Sequence, residues 1–299
     1  MKQKIERIIL FGDSFVEGQG TYDPDLSIQN NPCGEPFTPE QHSELRHWRK
    51  KNSWRKYLKK HFPNVQIKNY ASQGCGNYEQ FYELNNIIST LTDTDLVLFG
   101  FTSKYRDSIT SMMMGFQHHG GVHIQRLLHP SNPLLTTPVA FERISVEDKF
   151  SIDGSTHEFF NEKEKEFTYN FLKKWLVYTF DEVGYERTAQ TNYMFYSDYA
   201  KMKGFNIHFF DLFEPYVTPK FNDKLDIDTN VYLTYGEEDL HTYVDRYERE
   251  NGTYNDEVSY WECGHTQPIP DGRIYHPNQH GYELWIDYMY DRWLSKWYE

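Results

Sequence analysis

The sequence predicts an α/β protein of three layers, in which helices cover both faces of a mainly parallel sheet. Short apolar segments that suit buried strands alternate with longer segments of helical periodicity. The predicted strands are residues 7–11, 65–70, 96–101 and 205–210. This alternation is typical of parallel sheets, because each crossover between two parallel strands requires a helix or another long connection.

The segments between these strands predict the helices in turn. Residues 42–62 carry Arg, Lys and Trp at helical spacing and end before Pro63, which cannot continue a helix. Residues 77–91 place their apolar side chains on one face, and residues 162–203 form a long helical region before the fourth strand. Residues 279–297 are predicted to form the closing helix.

Two segments, 108–161 and 215–270, depart from the alternation and are rich in turn-forming residues. Structureless loops of that length are uncommon in compact domains. We therefore expect two large loop insertions with their own hairpins or short helices, within a single domain spanning 1–299. Two separate domains are the less favoured alternative.

Composition excludes several classes of protein. The 299 residues include 31 basic and 44 acidic side chains, a formal net charge of −13, which argues against binding nucleic acid or an anionic membrane. Three cysteines cannot all pair within one chain, so no disulfide framework is expected.

The apolar run near the N-terminus is too short for a signal peptide, and no 18-residue apolar run predicts a membrane span. We expect a cytoplasmic protein on these grounds.

A serine directly follows the first predicted strand, in the sequence Gly12-Asp13-Ser14. Open α/β sheets bind ligands at the carboxyl ends of their strands, which is where this hydroxyl would lie. A serine hydroxyl is a weak nucleophile and needs a neighbouring base. His276, followed by Pro277 at the expected start of the last helix, is the candidate base.

Together these motifs resemble the SGNH/GDSL hydrolases. The resemblance implies a flavodoxin-like α/β/α fold with Ser14 as the nucleophile and His276 as the base. The family's second block, an Asn followed five residues later by an oxyanion-hole Gly, corresponds to Asn69 and Gly74. The backbone N–H groups of Ser14 and Gly74 are then expected to stabilise the oxyanion of a tetrahedral intermediate.

The sequence departs from the family pattern at two positions. Thr102 stands where the family has an Asn whose side chain donates to the oxyanion, and a Thr hydroxyl can donate one hydrogen bond there. The family places the triad Asp three residues before the His, where this chain has Arg273. Asp271, five residues before His276, is the candidate acid. The remaining possibility is a histidine that acts without a carboxylate.

The resemblance predicts a serine ester hydrolase that acts on a short-chain acyl ester, with carbohydrate O-acetyl groups as the expected substrate. The alternative is a non-catalytic structural or glycan-binding protein that keeps the fold. The altered third block is similar to a divergent, bacteriophage-encoded branch, which makes a virion-associated protein the alternative to a cytoplasmic one. Tyrosines of the second insertion are expected either to line the substrate site or to pack in the core: Tyr232, Tyr235, Tyr243, Tyr247, Tyr254 and Tyr260.

No metal or cofactor is expected. His118, His119, His123 and His129 are close in sequence, but no carboxylate or Cys lies beside them at ligand spacing. No phosphate-binding or dinucleotide-binding glycine motif is present in the sequence.

Overall fold

A computed structural model describes the strands and helices that form the core of the chain. It describes residues 2–21, 39–72, 75–102, 106–108, 121–123, 182–213, 231–233, 238–256, 259–261 and 276–298.

The described strands form two sheets. They are β1 (Arg7–Phe11), β2 (Gln66–Asn69), β3 (Asp95–Phe101), β4 (Arg106–Ser108), β5 (Gly121–His123), β6 (Asn206–Asp211) and β7 (Val231–Leu233). The main sheet has five strands in the order β2-β1-β3-β6-β7, and every neighbouring pair is parallel. Strands β4 and β5 form a separate antiparallel pair. The prediction of an α/β protein with a mainly parallel sheet is confirmed.

The helices connect and cover these strands. They are α1 (Ser14–Glu17), α2 (Pro39–Asn52), α3 (Trp54–His61), α4 (Asn77–Ile87), α5 (Glu182–Lys203), α6 (Leu240–Asn251), α7 (Gln279–Met289) and α8 (Ser295–Trp297). The helix predicted over residues 42–62 is two helices, α2 and α3, separated at Ser53. A π-helical segment, Tyr290–Leu294, joins α7 to α8.

Successive residues of the strands point to opposite faces of the sheet, so each strand contributes to two cores. On one face, β-strand residues such as Leu10 and Leu98 pack with side chains of α3, α6 and α7. On the other face, Phe11 and Phe99 pack with side chains of α4 and α5. The sheet is therefore the middle of three layers.

The crossover pattern places a switch point at the carboxyl edge of the sheet. Strand β1 pairs with β2 on one side and with β3 on the other, so the chain reverses its direction of winding at β1. In open parallel sheets, ligands bind outside the carboxyl ends of the strands at such a switch point. The residues that follow β1 and β3 therefore lie where a site is expected.

The segment 215–270 differs from the expected insertion. Its described parts supply strand β7 to the edge of the main sheet and helix α6 to one of its faces. Most of segment 108–161 lies outside the described residues.

Four of the six tyrosines considered in segment 215–270 pack in the core and do not line an open substrate site. Tyr243 and Tyr260 are buried, and Tyr247 and Tyr254 pack against the same core. Tyr243 stacks on Tyr288 of α7 with ring centroids 4.1 Å apart. These rings therefore pack α6 and the chain that follows it against the closing helix α7. Of the two alternatives given for the tyrosines, core packing is the one observed for these four.

Within the described ranges, no helix combines the length and the apolar character that crossing a bilayer requires.

Candidate functional site

Ser14 lies at the switch point of the sheet. Strand β1 ends at Phe11, two residues form a tight turn, and Ser14 is the first residue of helix α1. Gly12 is required in this turn, because a Cβ on it would lie 2.1 Å from Cγ2 of Val16. Ser14 is 4% exposed, so its side chain is buried and does not lie on an open surface.

Asp13 caps helix α1 and so fixes the residue that follows it. Its Oδ1 accepts a hydrogen bond of 2.9 Å from the backbone N–H of Phe15, and its carbonyl accepts from Val16 and Glu17. Capping of this kind satisfies N–H groups that a helix leaves unpaired at its start. The side chain of Asp13 is fully buried, which keeps water from competing for these bonds.

His276 reaches Ser14 from the other end of the sequence. The distance between His276 Nε2 and Ser14 Oγ is 2.8 Å, that of a hydrogen bond. In the tautomer that carries its proton on Nδ1, His276 accepts the serine proton at Nε2. The imidazole also packs against Phe15 with ring centroids 4.6 Å apart, so one face of the ring is shielded by the nucleophile's own helix.

Backbone contacts with two distant segments hold His276 in place. Asn278 caps α7 by accepting from His280 and Gly281, and its backbone N–H donates to the carbonyl of Tyr260 at 2.9 Å. On the other side, Gly20 has φ +95°, and a Cβ there would lie 2.4 Å from the Pro277 carbonyl oxygen. The His276 segment is thus held between the chain after α1 and residues 259–261.

Helix α7 is also bonded directly to the segment that carries the serine. The hydroxyl of Tyr282 donates to the carbonyl of Gln19 at 2.7 Å, and the Tyr282 side chain is fully buried. This bond fixes the distance between the start of α7 and the chain after α1.

Thr102 directly follows β3, beside the turn that carries Ser14. Its hydroxyl donates to Asp13 Oδ2 at 2.6 Å, and its side chain is fully buried. Asn77 holds the Thr102 backbone from both sides, with Nδ2 donating to its carbonyl and Oδ1 accepting from its N–H, each at 2.9 Å. Thr102 therefore donates its single hydroxyl proton to Asp13. The oxyanion role predicted for Thr102 requires this bond to break.

Asn69 brings the end of β2 to the same edge. Its Nδ2 donates to the Val16 carbonyl at 2.8 Å, and its Oδ1 accepts from Ala71 N–H at 2.9 Å. The N–H of Ser72 then donates to the Gly12 carbonyl at 3.2 Å, so the chain after β2 runs beside the serine turn. Gly74 and Asp271 lie outside the described residues, and their predicted roles stay predictions.

Charged side chains of α2 flank the other end of α1. Glu17 is buried, and its carboxylate lies 3.1 Å from Arg46 Nε. Lys50 donates to the Asn69 carbonyl at 3.4 Å. Burial lowers the pKa of Lys50, while the neighbouring Glu17 opposes that shift.

In the described parts of the chain, no three His, Cys, Asp or Glu side chains are grouped so that they could hold a metal ion. Three of the histidines considered from the sequence, His118, His119 and His129, lie outside those parts, and the side chain of His123 is not described.

Sequence reasoning identified Ser14, His276 and Thr102, which the structure brings to one edge of the sheet. It missed Asn77 and Gly20, because neither belongs to a motif and each acts on residues distant in sequence. No protein-family model matches the chain, and no curated protein matches it.

Proposed function

We propose that the protein is a serine ester hydrolase with Ser14 as its nucleophile and His276 as its general base. One observation carries the proposal: side chains 262 residues apart meet at 2.8 Å at the carboxyl edge of the sheet. A nucleophile within hydrogen-bond reach of a base is the arrangement that covalent acyl transfer requires. The strand order at the switch point also supports the resemblance to SGNH/GDSL hydrolases, whose expected fold is flavodoxin-like.

The reaction has two steps on these residues. In the first, Ser14 Oγ attacks the acyl carbonyl carbon while His276 Nε2 takes its proton, and the resulting tetrahedral intermediate expels the alcohol, which receives that proton from His276. In the second, His276 removes a proton from water as the water oxygen attacks the acyl-enzyme. Collapse of the second intermediate releases the carboxylic acid and returns the proton to Ser14.

The oxyanion of both intermediates needs hydrogen-bond donors. We assign this role to the backbone N–H groups of Ser14 and Gly74. Ser14 is the first residue of α1, and the N–H of a first helical residue has no partner within its own helix. Asp271 is assigned to orient the His276 ring.

The expected substrate is a short acyl ester, with an O-acetylated carbohydrate as the specific proposal. The hydrophilic composition of the chain suits a polar substrate better than a long-chain lipid. Tyr78, which follows the buried Asn77 on the first turn of α4, is 62% exposed and offers a ring for stacking on a sugar.

The alternative is a non-catalytic glycan-binding or virion protein that keeps this fold. The observation that favours it is the use of the Thr102 hydroxyl on Asp13, because this leaves the site without the side-chain donor that the family resemblance implies. The two functions differ in one measurable property, which is turnover that depends on Ser14.

The test is release of acetate from p-nitrophenyl acetate and from an acetylated oligosaccharide. We expect wild-type turnover, and a loss of at least about 10³-fold in Ser14→Ala, because removing a nucleophile leaves only the residual catalysis of the site. Ser197→Ala is the matched control, since it removes a hydroxyl that is equally buried but lies on α5, and it should retain activity. Equal rates for wild type and Ser14→Ala would reject the enzyme and favour the glycan-binding alternative.

A further inference from the structure

Thr102 is connected to the nucleophile by a short series of buried hydrogen bonds. Its hydroxyl donates to Asp13 Oδ2 at 2.6 Å, while Asp13 Oδ1 accepts from Phe15 N–H at 2.9 Å. Asp13 therefore accepts on both carboxyl oxygens, one from the loop after β3 and one from helix α1. A carboxyl group that accepts hydrogen bonds on both oxygens is held in one rotamer. The start of the helix that it caps is then held in place as well.

Thr102 is itself held by a second helix. Both backbone polar groups of Thr102 bond to the Asn77 side chain at 2.9 Å, and Asn77 is the buried first residue of α4. The hydrogen bonds thus run from α4 through Asn77, Thr102 and Asp13 to the turn of Ser14. They cross the carboxyl ends of β1 and β3, the two strands that flank the switch point.

The geometry of the Thr102 hydroxyl is unsuited to stabilising an oxyanion directly. A hydroxyl has one proton to donate, and the proton of Thr102 is directed to Asp13. The side chain is also fully buried, so no part of it is open to solvent.

We infer that Thr102 is a positioning residue: it orients Ser14 through Asp13, with Asn77 holding it in place, and it does not donate to the oxyanion. This inference rests on the proposed serine hydrolase function. It implies that the oxyanion is stabilised by backbone N–H groups alone. It also explains how a Thr can occupy this position in an active enzyme, because its shorter side chain reaches Asp13 rather than the substrate.

The first test compares an ester with its thionoester, in which sulfur replaces the carbonyl oxygen. A donor that binds the oxyanion favours oxygen over sulfur, so losing such a donor lowers the ratio of the two rates. In Thr102→Val we expect kcat to fall about ten- to a hundredfold for both substrates, because that is the rate equivalent of one hydrogen bond to a charged group. We expect KM and the ratio of the oxygen-ester rate to the thionoester rate to stay unchanged. Thr102→Ser should restore kcat to within about threefold of wild type. A lower oxygen-to-sulfur ratio in Thr102→Val would overturn the inference.

The second test is a double-mutant cycle with Asp13→Asn. If Thr102 acts through Asp13, the double variant Asp13→Asn with Thr102→Val should be no slower than Asp13→Asn alone, within about threefold. Multiplicative losses in the double variant would show that Thr102 acts independently of Asp13 and would contradict the inference.

The third test needs no activity and so separates failure of the inference from failure of the proposed function. A crystal structure of Thr102→Val should show Ser14 Oγ displaced from His276 Nε2, beyond the 2.8 Å of wild type. An unchanged Ser14–His276 contact would overturn the positioning role even if the wild type proved inactive. If Ser14→Ala instead hydrolysed esters as fast as wild type while the contact in Thr102→Val was lost, the proposed function alone would fail.

Discussion

Ser14 and His276 reach the same point from opposite ends of the chain, and the two are held there by different means. Ser14 follows a central strand by three residues and is fixed by bonds within its own turn, to which Thr102, Asn69 and Ser72 add bonds from the ends of the two neighbouring strands. His276 belongs to no sheet strand. The segment around it is held by Gly20, by residues 259–261 and by the first turn of α7.

The difference predicts which changes the site can tolerate. A turn that caps itself depends on few other residues for its shape, here on Thr102 and its support Asn77. A residue fixed by remote packing loses its position when any supporting surface shifts, and a displacement of about 1 Å can cost about 10²-fold in rate. Substitutions at residues that pack against the His276 segment should therefore affect turnover more often than substitutions at residues that pack against the Ser14 turn.

The largest effect is expected for Asp271, the residue proposed to orient His276. Asp271→Asn should lower kcat by at least tenfold, and by up to about 10⁴-fold if the residue acts as in a well-studied serine triad. Asp256→Asn, the same change at an exposed acid, should leave the rate unaltered. A rate for Asp271→Asn within twofold of wild type would assign the role to another carboxylate or to a dyad without an acid.

The next effect is expected at Gly20, which contacts the His276 segment without belonging to the chemistry. In Gly20→Ala the new Cβ would lie 2.9 Å from His276 Cβ and closer still to the Pro277 carbonyl. We expect kcat to fall about tenfold or more with esters of any acyl group. Gly204→Ala is the matched control, because Gly204 also has a positive φ but its Cβ would meet only Asp93 Cβ, at 3.9 Å. Equal activity losses in both variants would show that backbone strain, not displacement of His276, is the cause.

A smaller effect is expected for Tyr282→Phe, which deletes the hydroxyl that donates to Gln19. The free energy of unfolding should fall by about 1 kcal/mol, as for a typical buried hydrogen bond, and kcat should fall several-fold because α7 carries the His276 segment. Tyr196→Phe deletes a hydroxyl that donates to the Phe81 carbonyl at 3.1 Å on the opposite face of the sheet. It should cost similar stability in denaturant unfolding but no activity. If both variants kept full activity, the bond to Gln19 would have no part in placing His276.

The same contrast explains what could be predicted from the sequence. Strand β1 and the position of Ser14 directly after it were predicted because their signals are local: an apolar segment followed by Gly12-Asp13-Ser14. Helix α6 was assigned to an insertion, although Leu240, Tyr243 and Val244 have the spacing of a buried helical face. Its many polar residues and nearby turn formers obscured that periodicity.

The supports of the site could not be predicted, because they depend on tertiary contacts. The reciprocal bonds of Asn77 with Thr102 join the start of helix α4 to the residue that follows strand β3. The need for Gly at position 20 exists only once residue 277 packs against it. Thr102 in place of the family's Asn was predicted to donate to the oxyanion, whereas the structure directs its hydroxyl to Asp13.

The most direct test of the central claim, that His276 activates Ser14, is labelling by a fluorophosphonate followed by mass spectrometry of the labelled peptide. The account predicts one label per chain on Ser14 in the wild type, much slower labelling in His276→Ala, and none in Ser14→Ala. A folded wild-type protein that stays unlabelled, or that carries its label on another serine, would contradict it.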